Sequence, residues 1–334
     1  MRPNPGKSWM FLLRHVSTLL FLGVVAAFGT ASPAFLQPAN MVNILVQSSS
    51  AAIVAIGMNF VLLTAGVDLS VGSIMFISAA LAAKVALSGS GLPLTVLVVL
   101  GTGLLCGAVN AFFITRLRIM PFVVTLATLY FGRGLGLWIT ETRAMNLPES
   151  LLQIGTARHF GIPTPVIVFA AVLAAAHLAL TRTPFGRHVY AVGNDPEAAG
   201  KAGIRTGRVF AAVYTVSGAC AALGGLVSVA QLGAVSPTFG NQREFAAIAA
   251  AVLGGTSLFG GRGQVFPGTV LGAILIQTVE NGLVILNADP YLYPLVMSGI
   301  IFVAVLMDSL RHRQITRMSR RLIRPQAGAP ERKP

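Results

Sequence analysis

Apolar runs long enough to cross a lipid bilayer recur along the whole of this 334-residue chain, and they constrain its fold more than any other feature. Ten can be delimited, at roughly 14–33, 41–65, 71–88, 92–115, 121–140, 164–181, 209–231, 244–258, 265–287 and 292–307. Backbone groups inside hydrocarbon must bond within their own segment or within a closed barrel, and no period-2 alternation points to a barrel. The runs therefore predict an all-α polytopic membrane protein of about ten transmembrane helices. Several runs fall short of the usual ~20 residues, which predicts short or re-entrant pieces. Composition agrees: 54% of residues are hydrophobic, 10% are charged, and mean hydropathy is +0.77. The 36 glycines fit helices that approach closely or break within a membrane.

A net charge of +14 invites a nucleic-acid partner, but the spans exclude a soluble DNA-binding protein, and the charges are distributed as topology demands. With both termini cytoplasmic, 19 of the Lys and Arg residues fall on cytoplasmic segments. They lie at the N-terminus, at Arg116 and Arg118, in the 182–208 loop, at Arg262, and in the tail from Arg311 to Lys333. Only Arg143, Arg158 and Arg243 fall on external ones, the bias that the positive-inside rule requires. The chain divides into a transmembrane domain, 1–308, and a basic, then Pro-rich tail, 309–334, suited to anionic membrane lipids. Cys106 and Cys220 both fall within spans, so neither a disulfide framework nor a metal spacing is indicated. The first apolar run could pass for a signal peptide, and nine further spans favour an uncleaved helix.

One polar, basic island interrupts the oil, at 185–208 within the 182–208 loop. Asn194 and Asp195 are N-cap residues, Pro196 suits the first helical position, Glu197 suits the positive helix end, and Gly203 suits the stop. A short capped helix in a basic loop is a docking element for a soluble partner. Two other punctuated segments stand out. In 64–73, Gly66 can end one helix and Asp68 or Ser70 can cap the next, with Gly72 following, which reads as a hairpin at the membrane surface. In 254–263 the glycines, Gly260 and Gly261 among them, resemble a phosphate cradle. No Walker Lys-Ser/Thr pair follows, so this reads as a flexible inner-face turn held by Arg262.

A loose internal likeness joins 104–114 (LLCGAVNAFFI) to 275–285 (LIQTVENGLVI). The two spans run in opposite directions, so the relation would be an inverted repeat, an arrangement that places a substrate path between halves.

The segments Gly66-Val67-Asp68-Leu69-Ser70-Val71-Gly72, Gly193-Asn194-Asp195-Pro196-Glu197-Ala198-Ala199 with Gly203-Ile204, and Gly254-Gly255-Thr256-Ser257-Leu258-Phe259-Gly260-Gly261-Arg262-Gly263 occur in this order. Together they closely resemble the membrane permease of the ribose/xylose/arabinose/galactose type of bacterial ATP-binding-cassette importer, over residues 40–308. The resemblance implies a multi-pass inner-membrane protein that carries no chemistry and no cofactor of its own. ATP and Mg would bind partner ATPase subunits, a periplasmic sugar-binding protein would deliver a monosaccharide, and a second permease copy, identical or not, would complete the pore. It also implies that Asn194, Asp195, Pro196, Glu197, Ala198, Ala199, Lys201 and Gly203 form the helix that couples to the ATPase. Pro196 departs from the residue found in many relatives, but a proline at that position keeps the helix start intact.

Sugar hydroxyls need donors and acceptors, so polar groups within spans are candidates for the translocation path: Asn59, Asn110, Gln231, Glu280 and Asn281, with Trp138 or Phe112 as stacking walls. An Asn in a membrane helix more often bonds a neighbouring helix, at about 0.6 kcal/mol on average, than it touches a substrate. Arg133 is an intramembrane charge, with Glu280 as its expected partner and a structural lock between helices as the plain reading. An ion-coupled secondary transporter would need deep carboxylates, of which Glu280 alone is clearly intramembrane. An integral-membrane enzyme would need clustered His, Asp or Glu, which the sequence lacks. Within the importer reading, branched-chain amino acids or nucleosides are the alternative cargo.

Overall fold

A computed structural model describes the backbone of residues 5–322 and the side chains of residues 17–306 and 308–310. In the basic tail assigned to 309–334, the backbone is described as far as Leu322, and the side chains beyond 310 lie outside the described residues. The chain is helical almost throughout. In order come α1 (Pro5–Ala31), α2 (Pro38–Leu63), α3 (Val71–Leu87), α4 (Leu92–Thr115), α5 (Pro121–Thr140), α6 (Glu149–Thr156) and α7 (Thr164–Arg182). They are followed by α8 (Pro184–Asn194), α9 (Pro196–Lys201), α10 (Thr206–Leu232), α11 (Arg243–Leu253), α12 (Val270–Ile285) and α13 (Leu292–Leu322). Proline opens α2, α4, α5, α7, α8 and α9, where its missing N–H costs no hydrogen bond. Among the described residues, seven helices are long and apolar enough to cross a membrane: α2, α4, α5, α7, α10, α12 with the turn before it, and α13 as far as Leu310. Shorter apolar stretches, 17–31 in α1 and the whole of α3, accompany them.

Helices α2 and α10 form the centre of the bundle and are buried along most of their length, while α4, α5, α7 and α13 leave most of theirs facing outwards. Leu97, Leu105, Phe131 and Phe302 are among the large apolar side chains exposed there, as expected of a surface solvated by lipid. Glycine lets the central helices touch. Gly103 and Gly107, one turn apart on α4, meet Gly218 and the Tyr214 backbone on α10, and Gly57 of α2 meets Ser217 and Cys220. Without a hydrophobic driving force between helices in lipid, such close backbone approach is what holds them together.

The 64–70 segment is not the surface hairpin that its sequence implies. Asp68 and Ser70 are wholly buried. The first turn of α3 packs against the middle of α5: Gly132, about 17 Å along that helix, lies against Ser73. Helix α2 ends near α8, where the Leu63 carbonyl accepts from Gly261 N (2.9 Å). The chain then climbs back to mid-depth before α3 begins. A second climb, in the opposite sense, follows α10. Its end is fixed by a two-residue antiparallel pairing of Met145–Asn146 with Ala234–Val235, after which α11 starts with Gly240 and Glu244 against Gly72. Two helix N-termini thus meet deep in the bundle, α3 leading away from α8 and α11 leading towards it.

Candidate functional site

The polar, basic island holds two helices where the sequence suggests one. Helix α8 is capped by Thr183 and buries Val189, Val192 and Gly193. Asn194 is its last residue and not a cap of the next helix. Asp195 is that cap, with Oδ1 accepting from Glu197 N (2.9 Å) and Ala198 N (3.0 Å). Pro196 follows at the first helical position, and Gly203, at φ +86°, turns the chain out of α9. Ala199 packs inward, while Glu197 and Lys201 project outward and form an ion pair of 2.7 Å. The exposed surface of α9 is therefore short, rigidly started and chemically distinct from its surroundings.

Helix α8 ties α9 to both broken segments. A Cβ at Gly193 would meet the Leu63 carbonyl and lie 2.6 Å from Gly261 N, so the three backbones touch. The Asn194 side chain lies against Gly261 as well. Tyr190 donates to the Gly263 carbonyl (2.9 Å), and burial pushes its phenol above the ordinary value, which keeps it a donor. Gly260 and Gly261, at φ +79° and +67°, make the turn that allows this approach. Its stays differ from the sequence-based expectation. The Arg262 backbone carbonyl accepts from Ser257 N (2.9 Å), and the Asp308 carboxylate accepts from Leu258 N (3.0 Å), fastening the turn to α13.

At mid-depth Asp68 organises a second network. Oδ1 accepts from Ser70 N (3.0 Å) and Ser70 Oγ (2.5 Å), and Oδ2 accepts from Ser217 Oγ (2.7 Å) on α10. Asn110 of α4 donates to Ser70 Oγ (2.8 Å) and accepts from Thr128 Oγ1 (2.6 Å) of α5. Neither Asp68 nor Ser70 caps α3 through its side chain; they lock four elements together instead. The Gly66 N–H returns to the Val61 carbonyl (3.1 Å). Just above, Gly72 leaves room for the Glu244 carboxylate, one oxygen of which is buried without a hydrogen bond. Arg133 donates to the Phe239 carbonyl and lies over the Phe76 ring at 5.6 Å. Its nearby carboxylate is Glu244, and not Glu280 as the sequence suggested. Glu280 is consequently not the sole carboxylate of the bundle interior, since Asp68 and Glu244 are more deeply buried.

The proposed path residues separate into two groups. Asn110 belongs to the Asp68 network. Asn281 exchanges two 3.0 Å bonds with Asn40, and Asn59 accepts from Thr256 Oγ1 (2.5 Å) with its own amide nitrogen unpartnered. Trp138 is 77% exposed on α5, beside Lys84 and Glu141, and Phe112 is exposed on α4. None of these lines the two cavities described next. Gln231 and Glu280 do share one, of 330 Å³, with Gln47, Gln277 and Arg243. A second cavity of 430 Å³ adjoins it, and Arg243 and Glu280 line both. Arg243, counted as an external-loop residue in the sequence, stands at the start of α11 facing these cavities. A signal for Gln277 was present: it sits three residues before Glu280, on the same face of α12. For Gln47, one amide in a serine-rich stretch of α2, no sequence signal distinguished it.

A bundle of this kind, with lipid-facing outer helices, two breaks at mid-depth and a short capped helix on one face, is a polytopic membrane permease. The chain belongs to the family described as the branched-chain amino acid transport system / permease component, whose model matches residues 40–306. It is 36% identical over 304 residues to the ribose import permease protein RbsC of Haemophilus influenzae, covering 90% of this chain and 94% of that one. It is 39% identical over 295 residues to the RbsC of Bacillus subtilis, covering 86% and 91%. To the D-allose transport system permease protein AlsC of Escherichia coli it is 38% identical over 311 residues, covering 92% and 95%. No solved structure matches it significantly.

Proposed function

We propose that this chain is the membrane-spanning subunit of an ATP-driven importer that carries a monosaccharide across a bacterial inner membrane. The observation that carries the reading is the similarity, over nearly the whole length of both chains, to permeases named for ribose and allose import. The chain is a transporter subunit and not an enzyme. ATP and Mg act in a separate ATPase, and a periplasmic binding protein supplies the sugar. The family description favours a second cargo, branched-chain amino acids, and the relatives' names favour sugars over it.

Helix α9, with its cap, is the coupling element: Asn194 to Ala199, Lys201 and Gly203 present a short stub to a cleft on the ATPase. This reading puts α8, α9 and both termini in the cytoplasm. Closure of the ATPase dimer pushes α9, and α8 transmits the push to Leu63 and Gly261 at once, because those backbones touch. The two broken segments then move as a pair. Their opposed geometry, α2–break–α3 against α10–break–α11, supports an inverted repeat whose halves rock against each other. A second permease copy and the surrounding lipid complete the assembly.

Glu197→Arg tests the coupling role. It removes the ion pair to Lys201 and places a positive charge at the positive end of α9. In proteoliposomes holding the permease, its ATPase and its binding protein, stimulated ATP hydrolysis and uptake should both fall at least tenfold with insertion unchanged. Full stimulation and uptake would remove α9 from the coupling role. Uptake of ribose, allose or xylose by the unaltered complex tests the cargo, and exclusive uptake of leucine would favour the second reading.

A further inference from the structure

The cavity pair beside the N-terminus of α11 is more polar than a packed bundle requires. Glu280 and Arg243 line both chambers, and their side chains make no ion pair or hydrogen bond with any described residue. A carboxylate and a guanidinium left unpaired among apolar helices are costly unless water or a ligand solvates them. Three glutamine amides surround them. Gln277 donates to Gln47 (2.9 Å), and Gln231 donates to the Val46 carbonyl (3.0 Å), so each is held in place yet retains donors and acceptors facing the space.

Position is equally informative. Gln231 is the penultimate residue of α10, Glu280 lies about 8 Å from the end of α12, and Gln47 about 14 Å from the start of α2. All three distances are measured from the face opposite α9. The inner chamber, at 330 Å³, falls within the roughly 300–1,000 Å³ that small-ligand pockets occupy. Tyr293 and Phe245 flank the outer chamber, offering flat apolar surfaces on the way in.

We propose that this cavity is a binding stop for a neutral polyol, entered from the face opposite α9, in which Glu280 and Arg243 grip a vicinal diol. The carboxylate accepts from two adjacent hydroxyls, or the guanidinium donates to two adjacent hydroxyl oxygens, and Gln47, Gln231 and Gln277 take those that remain. One negative and one positive group give the chamber no net preference for charged cargo. A zwitterionic amino acid could satisfy the two charges. A branched aliphatic side chain, however, would meet mainly amides and serines in the inner chamber, where it gains nothing from burial. The proposal deepens the importer reading by naming the residues of this chain that hold the cargo after its release from the binding protein.

The test uses the whole importer in proteoliposomes, with ribose, allose, xylose and leucine as probes. Ala51, a small residue on the inner chamber wall, is replaced by cysteine and labelled from outside with an impermeant thiol reagent. The native cysteines of the unaltered protein serve as the control. Millimolar sugar, presented with loaded binding protein, should slow labelling of Ala51→Cys at least threefold. Labelling at the same rate with every sugar, or slowed by leucine alone, would overturn the polyol stop. In parallel, Glu280→Gln and Gln277→Leu should each lower sugar uptake tenfold or more while stimulated ATPase stays within twofold, raising the ATP used per sugar moved. Uptake and ATP cost unchanged in both would also overturn it. If the unaltered importer moves none of the three sugars, the importer reading itself fails, whatever the cysteine reports.

Discussion

Two aspartates in helix breaks, Asp195 and Asp68, look alike in sequence and do opposite work. Each precedes a short helix-starting run with a helix-breaking residue nearby. The Asp195 side chain is exposed and, among the described residues, accepts only from the N–H groups of Glu197 and Ala198, so everything it does is settled within a few residues. Asp68 is wholly buried and gathers Ser70 beside it, Ser217 from α10 and, through Ser70, Asn110 from α4. A break at the water surface needs only a local cap, because water satisfies the rest. A break inside the bundle must find every partner in protein, and those partners come from far along the chain.

The largest expected effect therefore lies at Asp68. Asp68→Ala leaves the Ser70 N–H, the Ser70 hydroxyl and the Ser217 hydroxyl without their acceptor. At about 1–3 kcal/mol for each stranded donor, most of the folded population should be lost. The yield of monodisperse protein in detergent and its Tm measure this. Asp68→Asn keeps one acceptor oxygen and should recover much of the loss, which separates hydrogen bonding from charge. A normal Tm for the alanine variant would show that the network is dispensable and the contrast with Asp195 illusory.

Next comes Gly72, where the two helix N-termini meet. A Cβ there would run into the Gly240 carbonyl and the Glu244 carboxylate, and the backbone has no flexible end to give way. Gly72→Ala should cost about 1–3 kcal/mol by overpacking and should lower Tm without touching α9. Binding of the ATPase to the purified variant should stay within twofold. If ATPase binding falls as steeply as Tm, the two breaks are not mechanically separable.

Asp195→Ala removes one local cap, at about 1 kcal/mol. Hydrogen exchange should quicken at Glu197 and Ala198 while protection around Ser217 and Asn110 stays unchanged. Protection lost at both places would show that α9 and the deep network unfold as one unit.

The same contrast explains what was readable in advance. Hydrocarbon demands a long apolar run of any crossing helix, so α2, α4, α5, α7 and α10 announce themselves residue by residue. The cap, proline and stop of α9 were also legible, being local chemistry. Helix α8 escaped notice because its burial rests on Val189, Val192 and Gly193 spread through a basic sequence, although Thr183-Pro184 did mark its start. The depth of 64–70 could not be read, since Asp68 and Ser217 are 149 residues apart. Nor could the neighbour of Arg133: a shared depth in the outer halves of their spans pointed to Glu280, and the re-entrant path of 236–242 brings Glu244 closer. The partners of the asparagines were out of reach for a related reason. An amide in a membrane helix must be satisfied whether or not cargo passes, and Asn110 and Asn281 are satisfied by Ser70, Thr128 and Asn40.

The smallest effect belongs to the one ion pair among the described residues, Lys201 with Glu197. Its length of 2.7 Å and its spacing along α9 look favourable, but both side chains are about three-quarters exposed, so water and salt screen the attraction. Lys201→Ala should change stability by no more than about 0.5 kcal/mol, within the scatter of a Tm measurement. Its effect on coupling should be equally small if Glu197 acts through the helix dipole and its own charge. The comparison with Glu197→Arg is then informative, because both substitutions destroy the same ion pair and only the second puts positive charge at the start of α9. If Lys201→Ala abolishes stimulated ATP hydrolysis as completely as Glu197→Arg, then the lysine itself meets the ATPase, and the docking surface extends to the last turn of α9.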